Sequence, residues 1–249
     1  MSGVTFKTLL LEEREDRVVV ALNRPQVRNA LSAEMITELH SVCEMIEKSP
    51  RPLLLTGSKG IFAGGADIEE LAARGRNEAL AGINSRLFDR VARLVAPTVA
   101  AVDGLALGGG AELAYACDIR VATTRAVFGN PEPGLGIIAA AGACWRLAEL
   151  VGKSVAKQVL LGGYSLSAHD ALRLGLVSEV TAPEELLARA HGLIDGMLKW
   201  SPAALRLTKL VLDAPGGHPA VDDLAQAVLF ETEDKRQRMG AFLDRRTRR

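Results

Sequence analysis

Apolar and polar positions divide the chain into two regimes. Up to about residue 180, short β-like runs alternate with stretches at helical spacing; beyond that, helical spacing alone continues. Apolar runs over 4–11 and 17–22 flank the charged turn EERED and predict two neighbouring strands. Pro25 ends the second run, and Ser32 can cap a helix burying Met35, Leu39, Val42 and Ile46 on one face. A buried strand over 53–56 leads into GSKGIFAGGADIEEL, where Asp67 is placed to cap a helix opening at IEEL. One long helix is expected over 77–94, with Leu80, Ile83, Leu87 and Val91 on its apolar side.

The chain is organised around residues 97–113, PTVAAVDGLALGGGAEL. They read as a buried strand, the three-glycine turn Gly108–Gly110, and a helix whose first turn carries Glu112. Unpaired N–H groups at a helix start favour developing negative charge, and a carboxylate beside them can act as acid or base. A second carboxylate, Glu132, lies in FGNPEPGLG (128–136), too rich in Pro and Gly for regular structure. A strand over 118–122 precedes it, and the alanine-rich AAAGACWRLAELVG after it predicts a buried helix. Next comes a helix capped by Ser167 with Asp170 completing the box, then a strand into Val180. Helices are predicted over 183–199, 202–212, 220–230 and 234–243. The sum is an α/β core with a helical C-terminal extension.

A length of 249 residues fits one large domain, alone or with a small extension. Thirty basic residues against 30 acidic ones give no net charge, which argues against a nucleic-acid surface. The basic clusters KRQR and RRTRR read as a solvated tail. Cys43, Cys117 and Cys144 lack CxxC spacing and are expected as buried thiols of a reducing compartment. His40, His169, His191 and His218 form no metal-ligand pattern. No secretory signal, transit peptide or membrane-spanning run is visible, so a soluble cytoplasmic protein is expected. LALGGGAE lacks GxGxxG, which sets a dinucleotide-binding dehydrogenase aside.

The ordered set NRPQVRNAL, FAGGADIEEL, VDGLALGGGAELAYACD, FGNPE, WSPAALRLTK and ETEDKRQRMGAFLDRR resembles the enoyl-CoA hydratase/isomerase, or crotonase, superfamily over nearly the whole chain. That resemblance implies a crotonase-like (ClpP/crotonase) α/β spiral of ββα units over 1–195, with a C-terminal helical oligomerisation region over 196–249. It implies an acyl-CoA thioester substrate whose enolate oxyanion is held by the backbone N–H groups of Ala66 and Gly109. Glu112 and Glu132 match the two glutamates that add water across the double bond of a trans-2-enoyl-CoA to give a 3-hydroxyacyl-CoA. Glu132 is the preferred acid/base at Cα and Glu112 the base that positions water, although sequence leaves that division open. The resemblance assigns the substrate path to Arg24, Arg28, Ala63, Gly64, Ala66, Asp67, Ile68, Gly108, Gly109, Pro131 and Ala140. Arg28 and Lys59 are candidates for phosphate contact, and Phe230 and Arg236 for reaching a neighbouring subunit's ligand. No cofactor or metal is implied, because CoA arrives with the substrate; homotrimers or dimers of trimers are.

The segment PGLGIIAAAGACWRL departs from the family pattern. Pro133 follows the glutamate directly, Ala139 stands where a proline is usual, Ala140 and Ala143 replace glycines, and Cys144 and Trp145 replace a polar pair. The Ala140 methyl is expected to narrow the pocket near the reacting carbons. Double-bond isomerisation, with one carboxylate shuttling the proton, is therefore an alternative on the same scaffold. A non-catalytic acyl-CoA-binding subunit is the alternative of a different class.

Overall fold

The structure, a computed structural model, describes residues 6–247; positions 4–5 of the first predicted strand and Arg248 and Arg249 lie outside the described residues. Strands β1 (Leu9–Glu13) and β2 (Val18–Leu22) form an antiparallel pair in which Leu9 faces Leu22. Helix α1 (Ala33–Lys48) follows, with the Ser32 hydroxyl accepting from the Met35 N–H at 3.2 Å and Met35, Leu39, Val42 and Ile46 buried as predicted. Strand β3 (Leu53–Thr56) runs parallel to β2. Helices α2 (Ile68–Ala73), α3 (Arg76–Ala81) and α4 (Ile83–Ala92) lead to β4 (Thr98–Val102), parallel to β3.

Strand β5 (Leu105–Leu107) and helix α5 (Gly109–Tyr115) come next, then β6 (Ile119–Thr123) and β7 (Val127–Gly129). Helices α6 (Ala148–Val151) and α7 (Lys153–Leu160), strand β8 (Leu166–Ser167), helix α8 (Ala168–Arg173) and strand β9 (Glu179–Thr181) complete the winding. The larger sheet has the order β1-β2-β3-β4-β6-β9 and the smaller one β5-β7-β8. These recurring strand-and-helix turns form the expected spiral. Helices α9 (Leu186–Met197), α10 (Pro202–Leu212), α11 (Ala220–Phe230) and α12 (Glu233–Thr247) follow.

Strands β3 and β4 are buried on both faces, which is why they read as continuous apolar runs. Leu53, Leu55, Ala100 and Val102 point into the main core with α1 and α4. Leu54, Val99 and Ala101 point the other way, against Leu186, Ala190 and Ile194 of α9. Helices α10 and α11 bury no residue, and Leu210, Leu212, Leu224 and Val228 stand exposed.

Three expectations need correction. The helix expected over 77–94 is broken at Gly82, whose φ of 61° is left-handed, so α3 and α4 meet there as separate helices. The 128–136 loop is not wholly irregular: its first residues complete β7, and Glu132–Leu135 make a short 3-10 turn. The buried helix expected after it is instead a π-helical turn, Ala143–Leu147, running into α6; Cys144 and Trp145 face outward, so Cys144 is an exposed thiol.

Packing under α5 leaves no room for a side chain. A Cβ built on Gly110 would sit 2.4 Å from the Ala63 carbonyl oxygen and 2.6 Å from its Cβ. Replacing a helical glycine by alanine ordinarily stabilises by about 1 kcal/mol; here the methyl has no room. Gly110→Ala is expected to destabilise by about 2 kcal/mol or more, read as a lower midpoint in urea unfolding at unchanged slope.

Candidate active site

Two loop segments meet at the head of α5. Ala63 donates its N–H to the Leu105 carbonyl at 3.0 Å and accepts from the Leu107 N–H at 3.0 Å, so the strand-like piece 63–66 lies alongside β5. On its other edge, Leu31 donates to the Gly65 carbonyl at 2.8 Å and accepts from the Asp67 N–H at 3.0 Å. The Ala66 N–H is left with no acceptor among the described residues. Gly109 opens α5, and its N–H likewise has no acceptor, as expected in a first helical turn. A Cβ placed on Gly109 would be 3.6 Å from the Ala66 nitrogen, so the two free donors stand side by side. Both border a cavity of about 460 Å³.

Glu112 and Glu132 face the same cavity. Glu112 is only 3% exposed, and its Oε1 accepts from the N–H groups of Ala141 at 2.8 Å and Ala143 at 3.1 Å. Burial pushes its carboxyl up to about 7, the charge of Glu132 adds to the rise, and the backbone donors oppose it. Glu132 enters from the 3-10 turn and is 8% exposed, and its Oε2 is buried with no hydrogen-bond partner among the described residues. Burial raises this carboxyl above the usual range as well. The rest of the wall is largely apolar: Ile68 and Leu71 from α2, Leu135 at the end of the 3-10 turn, and Ile137 and Ile138 after it. Arrayed this way, the site can hold a polarised carbonyl beside two carboxyl groups that burial raises above their usual range.

Gly64, Ile68, Gly108, Pro131 and Ala140 line the cavity with Ala66 and Gly109. Arg24 and Asp67 stand behind the wall as an ion pair at 2.9 Å. Arg24 also donates to the Ala30 carbonyl at 2.8 Å, and Asp67 accepts from the Glu70 N–H at 3.5 Å at the start of α2. Ala63 is fully buried beneath α5. Arg28 is exposed, with its carbonyl accepting from the Gly64 N–H at 2.8 Å, and Lys59 is exposed on the neighbouring turn. Phe230 lies under the Lys235 ammonium and Arg236 pairs with Glu233, both in the C-terminal helices.

Sequence reasoning missed three sets of contributors. Asn29 is fully buried in a left-handed conformation; its Nδ2 donates to the Ile61 carbonyl at 2.7 Å and its Oδ1 accepts from the Arg24 N–H at 3.0 Å. An Asn in the turn PQVRNA was the available signal. The Ala141 and Ala143 amides that hold Glu112 carry no side-chain signature at all. Asn84 and Arg74 border the cavity; Asn84 was hidden by the unbroken-helix reading over 77–94, and Arg74, just before that helix, carried no signal of its own. Among the described residues, no group of His, Cys, Asp and Glu could hold a metal ion, and no helix is long and apolar enough to cross a membrane.

A glycine-built pair of free amides facing two buried glutamates agrees with the relationships of the chain. The family model for enoyl-CoA hydratase/isomerase matches residues 12–248, and the chain belongs to that family. It is similar to a short-chain-enoyl-CoA hydratase of Clostridium acetobutylicum, 37% identical over 97% of this chain and 96% of that one. It is also similar to a crotonyl-CoA hydratase of Syntrophomonas wolfei, 35% identical over 98% of this chain and 97% of that one. The crystal structure of an enoyl-CoA hydratase from Bacillus anthracis superposes with a TM-score of 0.91 at 29% identity, over 96% of this chain and 97% of that one.

Arg24 also holds the charged form of Asp67, whose carboxyl lies below the usual range. Asp67→Ala removes this pair and the α2 cap together and is expected to cost about 1–2 kcal/mol. Thermal unfolding would measure it.

Proposed function

We propose that the chain adds water across the double bond of a trans-2-enoyl-CoA to give a 3-hydroxyacyl-CoA. The observation that carries this reading is the sharing of one cavity by two free backbone donors and two buried carboxyl groups. In the proposed step the thioester oxygen accepts from the N–H groups of Ala66 and Gly109, which draws electron density from the double bond. Water attacks Cβ, Glu112 takes one proton from it, and the Glu132 acid gives its own proton to Cα. The net addition is hydroxide at Cβ and a proton at Cα, and one proton transfer from Glu112 to Glu132 resets the pair. The hydrogen bonds support that division of labour: two N–H donors favour Glu112 as carboxylate, whereas the Glu132 Oε2 has no hydrogen-bond partner among the described residues and suits a bound proton, even though Asn130 and the Glu132 N–H oppose the rise that burial causes.

A short acyl group is proposed, supported by the names of the similar short-chain-enoyl-CoA and crotonyl-CoA hydratases. No further cofactor is proposed, since CoA comes with the substrate. Arg28 and Lys59, both exposed beside the Gly64 loop, are proposed to meet CoA phosphates, with the Arg24–Asp67 pair bracing that loop. The helices from about residue 196 onward are proposed to assemble homotrimers or paired trimers, supported by the exposed apolar residues of α10 and α11. A cytoplasmic setting is also proposed, and a balanced charge argues against nucleic-acid partners.

Loss of the enoyl-thioester absorbance of crotonyl-CoA is the direct assay. Glu112→Ala and Glu132→Ala are each expected to slow turnover by at least ~10²-fold, and near-normal rates in both variants would overturn the reading. The working form of Glu112 is ionised, so kcat/KM should fall as pH drops below about 7. The working form of Glu132 is protonated and burial raises its carboxyl, so loss of that proton should lower the rate as pH rises, the two ionisations belonging to the pair as a unit. Glu112→Gln should abolish the acid limb together with most of the rate.

A further inference from the structure

The wall of the cavity carries a polar group beside the two backbone donors that neither the carboxylates nor those donors account for. Asn84 lies in the first turn of α4, immediately after the break at Gly82. A Cβ built on Gly109 would stand 3.5 Å from the Asn84 Nδ2 and 3.6 Å from the Ala66 nitrogen. The Asn84 Oδ1 accepts from the Arg74 Nη1 at 3.1 Å. A guanidinium can only donate, so this bond decides which end of the amide faces Arg74 and which end faces the cavity. The NH₂ end, a two-proton donor, is left toward the cavity with no acceptor among the described residues. Arg74 is itself held: its side chain is 16% exposed and its Nη2 lies 3.8 Å from the Glu70 Oε2, whose carboxylate accepts from the Ala33 N–H at 2.7 Å.

We infer that the Asn84 side-chain amide is a third hydrogen-bond donor at the oxyanion site, and that Arg74 is its positioning residue. The inference rests on the thioester chemistry proposed for the cavity. A substrate oxygen seated between the Ala66 and Gly109 amides lies next to Nδ2 and gains a donor that is neutral and already oriented. Donors of this kind act when charge develops on the oxygen, so their loss lowers kcat more than it raises KM. Arg74 touches no reacting atom; it keeps the amide from turning its oxygen toward the developing charge.

The test uses the full chain and para-dimethylaminocinnamoyl-CoA, a chromophoric enoyl thioester whose absorption moves to the red as its carbonyl is polarised. Asn84→Leu removes the donor, and Asn84→Asp keeps the volume and the Arg74 partner while presenting an acceptor, which guards against a simple folding defect. Both are expected to shrink the red shift of the bound probe and to lower kcat for crotonyl-CoA by about 10-fold or more, with KM changed by less than about 3-fold. Arg74→Met should produce a smaller loss of both, and Arg74→Lys, which retains a donor to Oδ1, should recover part of it. A wild-type red shift and wild-type kcat in Asn84→Asp overturn the proposal, as does a wild-type chain that binds the probe without shifting its spectrum. If the wild-type chain shifts the probe but hydrates no enoyl-CoA, the hydratase reading fails while the shift still reports the role of Asn84.

Discussion

Everything in the site depends on one close approach of backbone to backbone. The segment 63–66 runs alongside β5 through the Ala63–Ala106 bridge, and Gly110 packs directly over Ala63. A Cβ on Gly65 would lie 3.3 Å from the Leu107 carbonyl oxygen, so the two chains touch with no side chain between them. That contact sets the Ala66 and Gly109 amides beside each other. It also fixes the carboxylates. Glu112 follows Gly109 within the same helical turn, and the Gly108 N–H donates to the Gly129 carbonyl at 2.8 Å, tying the strand before Glu132 to the same turn. Donors built from main chain lose no rotamer freedom when charge develops, which is the sense in which such a site is preorganised.

The same logic explains why the alanine-rich departures leave the carboxylate pair intact. Glu112 is cradled by the amides of Ala141 and Ala143, and an N–H donates equally well whether its residue is glycine or alanine. Gly142 between them has a φ of 150°, a conformation that L side chains rarely adopt, and it remains glycine. Ala140 is different: it lines the cavity, so its methyl changes the space beside the reacting atoms without touching the acid–base machinery. The departures act on shape, not on protonation.

The sequence exposed most of the elements because they have strong local causes. Ser32, Ser167 and Ser201 cap helices whose starts were legible, and the doubly buried β3 and β4 stood out as unbroken apolar runs. Glu112 and Glu132 were legible through their glycine-rich surroundings and their place in an ordered motif set. What escaped was set by tertiary contact. Strands β5 and β7, three residues each, form through pairing with each other, and nothing in LAL or VFG demands it. The break at Gly82 escaped because apolar spacing continues across it, from Leu80 to Ile83 and Leu87. Asn84 was lost with it, since its direction depends on where α4 begins.

The neutrality of the donors follows from the carboxylates. Two glutamates share one desolvated cavity, and each is raised chiefly by burial, which favours keeping a proton between them. A developing oxyanion adds a further negative charge to the same space. A cation placed against it would stabilise the oxyanion, but it would also draw both carboxyl groups toward ionisation and strip the acid of its proton. Backbone amides avoid that conflict, because they offer directed dipoles without net charge. Among the described residues Arg74 is the one cationic side chain on this wall, and it is turned toward Glu70 and the Asn84 oxygen. Its charge is partly offset by the first and delivered through the second as a neutral N–H, so orientation reaches the cavity while most of the field does not.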